Sequence, residues 1–484
     1  MMHDIPRIVL AAPKSGSGKT TIACGLLQYF KEKQMEVSAF KCGPDYIDPM
    51  FHKTVIEVPS YNLDSFFSKE EELQQFFVET CKKNGAQIAL VEGVMGLYDG
   101  LAGIYEKAST MDVARILKSP IILVIDAHGM GRSMLPLLKG FLDYDKDHLI
   151  KGVILNRTTK SFYQIMKPVI EEELPIKVVG FFPKQDSLKL ESRHLGLKLP
   201  GEMSDIKQRL KTAASLIEES FDMDCLLKIA GAAVKLSVSD ESLVQQIKAS
   251  TDEKKIRLAY AKDEAFCFYY EQNLKMFTER GVEMVPFSPC KDKKLPDNIQ
   301  GLLLGGGYPE LYAEVLSNNR EMLREIKKAV LGGMPTLAEC GGFMYLHNSL
   351  TTQDGKVYPM VGAIDAEVSY QGKLVRFGYI EVENTSEDAE EDTTLLLQKG
   401  ETIKAHEFHY FDSTNNGDKL FAKKPMSKRG WSCVHLSENQ CLGFPHFYYP
   451  SNAAFVERFI VRLQGYLTSH SKEYNICSEK NTVI

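Results

Sequence analysis

The segment LAAPKSGSGKTT, at residues 10–21, brings together residue types that bind phosphate groups. Gly16 and Gly18 let the backbone curl closely, so that N–H groups in front of a helix N-terminus point at an anion. Lys19 is then placed to reach the β- and γ-phosphates of a nucleotide, and the Thr20 hydroxyl to bind Mg²⁺. The segment predicts a nucleotide-binding loop. The alternative is an ordinary Gly/Ser turn before a helix.

Two positions of this loop depart from the usual pattern G-x-x-x-x-G-K-[ST]. Pro13 stands where the first glycine is expected, and Lys14 adds a second positive charge. Proline is acceptable there if its missing N–H is not used. The loop resembles the deviant P-loops of the superfamily of dethiobiotin synthetase, partition ATPases and the nitrogenase iron protein. The loop residues expected to bind ATP are Lys14, Gly16, Gly18, Lys19, Thr20 and Thr21.

Four carboxylates follow the loop, namely Asp45, Asp48, Glu92 and Asp99. The first two lie in FKCGPDYIDPMFH at 40–52, and the other two in VEGVMGLYDG at 91–100, where the glutamate ends an apolar strand. Parallel α/β sheets bind ligands at the carboxyl ends of their strands, and carboxylates there suit Mg²⁺ binding and phosphoryl transfer. We expect all four to act in catalysis. The alternative is that the three aspartates only form turns. The expected metal ligands are Thr20, Asp48 and Glu92.

In the second half, GMPTLAECGGFMYL at 333–346 predicts a strand, a sharp turn and a helix, with Cys340 at the turn. This pattern is typical of a nucleophile elbow, built here for cysteine. We expect the helix N-terminus to lower the pKa of the thiol. N–H groups of the Gly305–Gly307 loop and of Gly341 are candidates for an oxyanion hole. The alternative is a lone buried cysteine.

This second segment resembles the class I glutamine amidotransferases, which need a histidine base near the end of the domain. GFPHFYYPSN at 443–452 supplies His446, which its position favours, with His409 second and His406 as a further competitor. Many class I enzymes carry a glutamate two residues after the histidine, where this chain has Tyr448. The third member of the catalytic triad is therefore left open.

The elements that must position these residues alternate along the chain. The segments RIVLAAP, VSAFK, IALVEG, PIILVIDA, IKGVILNR and VVGFFPK predict buried strands between helical patterns. Such an alternation indicates a parallel sheet covered on both faces. A polar segment at 236–255 predicts a linker, and the alternation restarts near Ile256. We expect an α/β protein with a P-loop parallel-sheet domain at 1–240 and a flavodoxin-like class I glutamine amidotransferase domain at 252–465.

The composition limits the classes of function. A length of 484 residues favours two domains, and a net charge of −6 argues against a general nucleic-acid binder. Ten cysteines without C-x-x-C spacing suggest neither a zinc site nor disulfides. No apolar run has the length and flanks of a signal peptide or a membrane helix. We expect a cytoplasmic protein without a membrane partner.

Five segments together resemble the family of cobyrinic acid a,c-diamide synthases, the cobyrinate and cobyrate amidotransferases. They are APKSGSGKTT, KCGPDYIDPMFH, VEGVMGLYDG, SRHLGL at 192–197 and HEFHYF at 406–411. The resemblance implies a ligase that uses ATP and Mg²⁺ to activate the c and then the a acetate carboxylate of a corrinoid. Each acyl phosphate is then captured by ammonia from L-glutamine.

The resemblance also implies roles for three residues. Asn156, in VILNR at 153–157, contacts the purine, with a strand-end turn as the alternative. Arg193 and His194 contact the polycarboxylate substrate, with a surface salt-bridge pair as the alternative.

Two kinds of alternative function are compatible with parts of the sequence. The same chemistry could act on Ni-sirohydrochlorin or hydrogenobyrinic acid. From a different class, a partition or regulatory P-loop ATPase would make no product, but such a switch has no use for a glutaminase at Cys340. Dependence of glutamine hydrolysis on ATP and a carboxylated tetrapyrrole discriminates between them. The order of amidation, the metal state of the substrate and a homodimeric state are left open.

Overall fold

The chain separates into two compact units, Met1–Leu243 and Val244–Ile484. The computed structural model describes residues 1–185, 192–193, 196–197, 205–238, 255–385 and 395–479, with side chains over 1–185, 205–238, 255–385 and 395–469. Each unit is built on a mainly parallel sheet with helices, which confirms the predicted α/β class. Over these ranges, the search for a helix that could cross a membrane finds none.

The first unit is organised by a seven-stranded parallel sheet. In spatial order its strands are Ser60–Leu63, Val37–Cys42, Ile88–Glu92, Arg7–Ala11, Ile121–Asp126, Ile150–Asn156 and Lys177–Phe182. Each of the six predicted apolar segments overlaps one of these strands, with differences of one residue at Cys42 and Lys177. The edge strand Ser60–Leu63 is not predicted, because its sequence SYNL has no apolar run.

Helices connect these strands and bury one face against the sheet. The helix Lys19–Glu32 buries Ile22, Leu26 and Phe30, whose four-residue spacing places them on one face. The further described helices of the unit are Ile47–Phe51, Glu70–Lys83, Thr110–Ile116, Met134–Tyr144, Lys160–Glu173, Ile206–Ser220 and Met223–Gly231.

The two ends of the first unit meet. Met2–His3 pairs with Leu236–Ser237 as short antiparallel strands. Beside them Arg7 is fully buried and donates to the Leu117 carbonyl oxygen at 2.8 and 3.0 Å and to the Val234 carbonyl oxygen. Burial lowers the pKa of Arg7 to about 10. The guanidinium therefore joins the start of the unit to its last residues.

Two predicted regions fall partly outside the described residues. The linker predicted at 236–255 begins with two residues that belong to this terminal strand pair, and 239–254 are not described. Ser192–Arg193 pairs with Gly196–Leu197, but the Arg193 side chain and His194 lie outside the described set. Substrate contact by these two residues stays a prediction.

The second unit has a central six-stranded sheet and three smaller sheets of five, four and two strands, the last formed by Phe266–Phe268 and Gly306–Gly307. In spatial order the central strands are Glu283–Phe287, Arg257–Ala261, Gly301–Leu304, Thr336–Glu339, Gln440–Gly443 and His435–Leu436. The five-stranded sheet is Gly430–Cys433, Leu420–Lys423, Arg376–Glu383, Thr402–His409 and His446–Phe447. The four-stranded sheet is Val357–Pro359, His347–Thr351, Ile364–Tyr370 and Phe411–Ser413.

The helices of the second unit alternate with its strands along the chain. The described ones are Glu271–Thr278, Ala313–Asn318, Arg320–Leu331, Gly341–Tyr345 and Ala453–Glu479. The five-stranded sheet matters for function, because it carries His406, His409 and His446 on adjacent strands. The central sheet brings Cys340 to the end of one of its strands.

Candidate functional site

The predicted nucleotide-binding loop joins a central strand to the helix Lys19–Glu32. Gly16 and Gly18 have φ angles of 77° and 95°, left-handed values that favour glycine. Lys14 is exposed and Thr21 is half-buried. The loop therefore has the turns that the sequence predicts, with its extra lysine open to an incoming anion.

Lys19 is buried, and its ammonium group is already held by the chain. Its Nζ donates to the Met95 carbonyl oxygen at 2.6 Å. Burial, followed by the charge of Lys41, lowers the pKa of Lys19 to about 8. Asp99 accepts the N–H of Gly96 at 2.9 Å and so closes the turn beside Met95. Asp99 forms the predicted alternative, an Asp turn, and a catalytic role for it stays a prediction.

Asn156 holds the loop from the end of a neighbouring strand. Its Nδ2 donates to the Ser17 carbonyl oxygen at 2.7 Å, and a Cβ atom on Gly18 would lie 2.1 Å from this nitrogen. Only glycine fits at that position. Arg157 donates to the Gly16 carbonyl oxygen from the same side. Contact of Asn156 with a purine stays a prediction.

A buried ion cluster lies beside the loop, at the carboxyl ends of adjacent strands. Lys41 Nζ is 2.6 Å from Asp48 Oδ2 and 2.8 Å from Glu92 Oε1. The same Glu92 oxygen accepts the Thr20 hydroxyl at 2.5 Å. All three charged residues are buried. The predicted carboxylates are thus connected to the P-loop, and Lys41, which sequence reasoning misses, pairs with two of them.

Mutual pairing opposes the effect of burial on the pKa values of Lys41 and Asp48. Burial acts to lower the pKa of Lys41, but the charges of Asp48 and Glu92 raise it well above its ordinary value. Burial acts to raise the pKa of Asp48, but Lys41 holds it below its ordinary value. Burial, followed by the Asp48 charge, raises the pKa of Asp45 to about 7. Asp45 also accepts the Ile47 N–H at 2.9 Å, as a turn-forming residue does.

The oxygen atoms at this cluster fit a magnesium ion. Glu92 Oε2 is buried without a hydrogen-bond partner among the described groups, and His52 Nε2 lies 3.9 Å from it. Mg²⁺ binds through one or two protein oxygens together with phosphates and water, so Thr20 and Glu92 form a suitable pair. Asp48, the third predicted ligand, is engaged by Lys41. In the described part of the chain, no group of three or more His, Cys, Asp or Glu side chains could hold a metal ion.

In the second unit, Cys340 occupies the turn between the strand Thr336–Glu339 and the helix Gly341–Tyr345. Its φ of 46° is uncommon for a residue other than glycine. Gly342 allows the close approach that this turn requires, because a Cβ atom there would lie 2.0 Å from the Leu304 carbonyl oxygen. The strand, strained turn and helix have the geometry of a nucleophile elbow.

The expectation of a lowered thiol pKa is wrong. Burial, with the charges of Glu310 and Glu407, raises the pKa of Cys340 above its ordinary value. The N–H of Gly341, at the start of the helix that follows, acts to lower this pKa, but burial is the larger effect. The thiol is protonated in this state, so a base must remove its proton before it can act as a nucleophile.

The glycine loop lies against the elbow but does not offer all of its N–H groups. A Cβ atom on Gly341 would lie 3.0 Å from the Gly307 nitrogen, which shows how closely the two segments approach. Gly305 donates its N–H to the Tyr269 hydroxyl at 2.9 Å, so this group is not available to an oxyanion as predicted. Gly306 and Gly307 pair with Phe266–Phe268 as short antiparallel strands, and the Gly341 N–H bonds to the Cys340 thiol, so an oxyanion hole formed by these groups stays a prediction.

Among the three competing histidines, His446 is the one packed on the glycine loop. A Cβ atom on Gly306 would lie 2.3 Å from His446 Cε1. His409 has one ring nitrogen on a backbone carbonyl at 2.6 Å and the other 3.3 Å from Glu407. The His406 ring stacks on His446 with 4.9 Å between centroids. These contacts favour His446 as the base, which remains a proposal.

Sequence reasoning also misses the carboxylate of Glu339, the residue before Cys340. Its Oε2 is 3.9 Å from His446 Nδ1, and its Oε1 accepts the Tyr449 hydroxyl at 2.6 Å. Burial raises the pKa of Glu339 to about 8. Burial, followed by the His409 charge, lowers the pKa of His446 to about 3. The available signal was a glutamate in the otherwise apolar segment PTLAECGG.

A small cavity opens near the elbow. Phe444, in its wall, packs on His409 with 4.0 Å between ring centroids and on Phe343 of the elbow helix with 5.1 Å. The lining combines carboxylates with a guanidinium, a combination that suits a ligand carrying both charges. The lining residues are Arg376, Glu407, His409, Asp412, Asn416, Trp431, Cys433 and Phe444.

A nucleotide-binding unit with a buried carboxylate cluster, followed by a unit with a cysteine elbow, defines an ATP-dependent synthetase joined to a glutamine amidotransferase. Residues 8–197 match the CobQ/CobB/MinD/ParA nucleotide binding domain family. Residues 257–441 match the CobB/CobQ-like glutamine amidotransferase domain family. The two matches lie within the two units in the order that the sequence predicts.

Relatives match over nearly the whole chain. The cobyrinate a,c-diamide synthase of Caldanaerobacter subterraneus subsp. tengcongensis is 38% identical over 95% of this chain and 98% of its own. Those of Picrophilus torridus and Listeria innocua are 37% and 36% identical, over 94% and 93% of this chain and 98% of theirs. The chain belongs to the cobyrinate a,c-diamide synthase family of glutamine-hydrolysing ligases. The solved structure of PurLQS from Thermotoga maritima covers 44% of this chain and 100% of its own at a TM-score of 0.30 and 17% identity, too low to support an argument.

Proposed function

We propose that this enzyme amidates the a and c acetate carboxylates of cobyrinate, using ATP and glutamine, through acyl-phosphate intermediates. One observation carries the proposal: a single chain holds a P-loop bonded through Thr20 to the buried Lys41–Asp48–Glu92 cluster, and also a cysteine elbow beside a buried histidine. The first arrangement suits phosphoryl transfer to a carboxylate. The second suits release of ammonia from an amide.

In the synthetase step, a substrate carboxylate oxygen attacks the γ-phosphorus of ATP, and ADP leaves. Lys19 and Lys14 lie on the P-loop and offer positive charge to the phosphates. Lys41 is the cation that can balance the substrate carboxylate as it approaches Asp48 and Glu92. Bound Mg²⁺ would supply further positive charge at the phosphates, and Thr20 and Glu92 would hold it.

In the glutaminase step, the Cys340 thiolate attacks the amide carbon of glutamine and ammonia leaves, which gives a glutamyl thioester. Water then cleaves this thioester to glutamate and the free thiol. His446 accepts the thiol proton and then donates it to the departing nitrogen. Glu407 and Arg376, which lie close together beside His409, are candidates to bind the ammonium and carboxylate groups of glutamine, since they offer both charges. Ammonia then attacks the acyl phosphate, and inorganic phosphate leaves. Free thiols, such as Cys340 here, fit a cytoplasmic enzyme.

The test is mass spectrometry of purified enzyme with ATP, Mg²⁺ and glutamine. The substrates are cobyrinic acid, hydrogenobyrinic acid and Ni-sirohydrochlorin in separate reactions. We expect two successive acid-to-amide mass changes on cobyrinic acid, both dependent on ATP. Two such changes on another tetrapyrrole alone would replace the substrate, and ATP hydrolysis without any amidated product would contradict the proposal in favour of a regulatory ATPase.

A further inference from the structure

The glutaminase site lacks the acidic residue that many class I enzymes place two residues after the histidine. Tyr448 stands at that position, and its ring packs edge-on against Tyr270 with 5.9 Å between centroids. It therefore supplies no carboxylate to His446. An imidazole that must accept a thiol proton inside a buried site still needs an anion, because burial disfavours the imidazolium.

Glu339, at the end of a strand of the central sheet, brings a carboxyl group close to His446. It ends the strand Thr336–Glu339, which pairs in parallel with Gln440–Gly443, and His446 follows three residues after that strand. The carboxylate lies 3.9 Å from His446 Nδ1, and both residues are buried. His446 itself begins a strand of the five-stranded sheet, so the contact links the end of a central strand to a strand of that second sheet.

The rest of the Glu339 environment supplies hydrogen-bond donors but no positive charge, so burial raises the pKa of this carboxyl group to about 8 and a cation beside it is needed to keep it ionised. The Tyr449 hydroxyl donates to Oε1 at 2.6 Å, and the Phe447 N–H also bonds to the side chain. Both donors come from the segment that carries His446, and neither carries a charge. An imidazolium on His446 is therefore the cation that this carboxylate is placed to meet.

We propose that Glu339 positions His446 and stabilises its imidazolium form, in place of the missing acidic residue after the histidine. The inference rests on the proposed roles of Cys340 and His446. With Nδ1–H directed at Glu339, Nε2 is left to take the proton from the Cys340 thiol. The thiolate then bonds to the glutamine amide carbon, the C–N bond breaks, and the same proton leaves His446 with the ammonia.

The test is Glu339→Gln, which keeps the size of the side chain and removes its charge. We expect the kcat for glutamate formation to fall about 100-fold, with KM for glutamine and ammonium-dependent amidation within threefold of the unchanged enzyme. The fall is smaller than the ~10⁴-fold loss seen when a directly bonded triad carboxylate is neutralised, because 3.9 Å exceeds hydrogen-bond length. Glu339→Asp should recover at least tenfold of the lost kcat. Glu438→Gln, at an exposed glutamate, is the matched control.

A second variant distinguishes the effect of the Glu339 charge from the effect of its hydrogen bond to Tyr449. Tyr449→Phe removes the hydroxyl bond but keeps the carboxylate, and we expect its kcat to fall less than tenfold. A Glu339→Gln kcat within threefold of the unchanged enzyme would overturn the proposal. A kcat loss of about 100-fold in Tyr449→Phe would also overturn it, because the hydrogen bond and not the charge would then be responsible. This second criterion decides the case if Glu339→Gln fails to fold. If Cys340→Ala and His446→Ala keep glutamine-dependent activity, the proposed glutaminase assignment fails instead.

Discussion

Replacement of Lys41 by methionine tests whether the buried cluster is held by charge. Lys41→Met keeps most of the volume but leaves Asp48 and Glu92 buried near each other without their cation. Removing one partner of a buried ion pair costs about 3–5 kcal/mol. For a unit of this size, each kcal/mol shifts the melting temperature by roughly 2–4 °C. We expect the unliganded variant to melt about 6–20 °C below the unchanged protein near pH 8.

The pH dependence of that loss follows from the carboxylates. In the unchanged protein Lys41 holds the pKa of Asp48 low, so this stabilisation is present above the unfolded pKa of about 4 and is lost as pH falls. Without Lys41, burial raises the carboxylate pKa values, so the variant loses stability as pH rises above about 4. The difference in melting temperature should therefore shrink between about pH 8 and pH 5.

The measurement is differential scanning calorimetry of both proteins at several pH values. The double variant Lys41→Met, Asp48→Asn serves as a control, because one of the two unpaired charges is removed and part of the loss should return. A melting temperature for Lys41→Met within about 2 °C of the unchanged protein at every pH would refute the reasoning, since it would show that no buried charge had been stranded.

Three further predictions concern the two chemical sites. Lys19→Ala should abolish amidation with glutamine and with ammonium alike, because Lys19 supplies positive charge to the transferring phosphate; ammonium-dependent product above a few per cent, measured by mass spectrometry, would contradict the P-loop role. Asp48→Asn and Glu92→Gln should each lower amidation by at least ~100-fold, and normal rates with unchanged Mg²⁺ dependence in both would show that they are structural. Cys340→Ala should lose glutamine-dependent amidation but keep the ammonium-dependent reaction, and His446→Ala should behave alike. If His409→Ala copies Cys340→Ala while His446→Ala does not, the base is His409.

The parts of the site that lie within one local segment are predictable from the sequence. Gly16, Gly18 and Lys19 stand in a strand–loop–helix pattern, and Cys340 stands in a second one. In both cases the chemistry depends on the turn and on the helix directly after it. The spacing along the chain therefore carries enough information to identify the groups.

Pairs of residues from different strands are not predictable in the same way. Lys41 meets Glu92 because two parallel strands align with Lys41 opposite Glu92. Glu339 meets His446 because the strand paired with Thr336–Glu339 ends three residues before His446, which then enters a second sheet. The sequence of one strand does not determine its register against a neighbouring strand. A charged residue in an otherwise apolar strand is a signal that such a partner exists, and it does not identify the partner. Short polar edge strands such as Ser60–Leu63 lack even that signal.

The meeting of the two ends of the first unit has an architectural consequence. Because Met2–His3 pairs with Leu236–Ser237, the first and last described strands of this unit are neighbours. A new junction just beyond residue 238 would leave Arg7 and its carbonyl partners undisturbed. Units with adjacent termini tolerate fusion and circular permutation. The first unit can therefore be joined to another domain after residue 238 without a change to its seven-stranded sheet or its buried ion cluster.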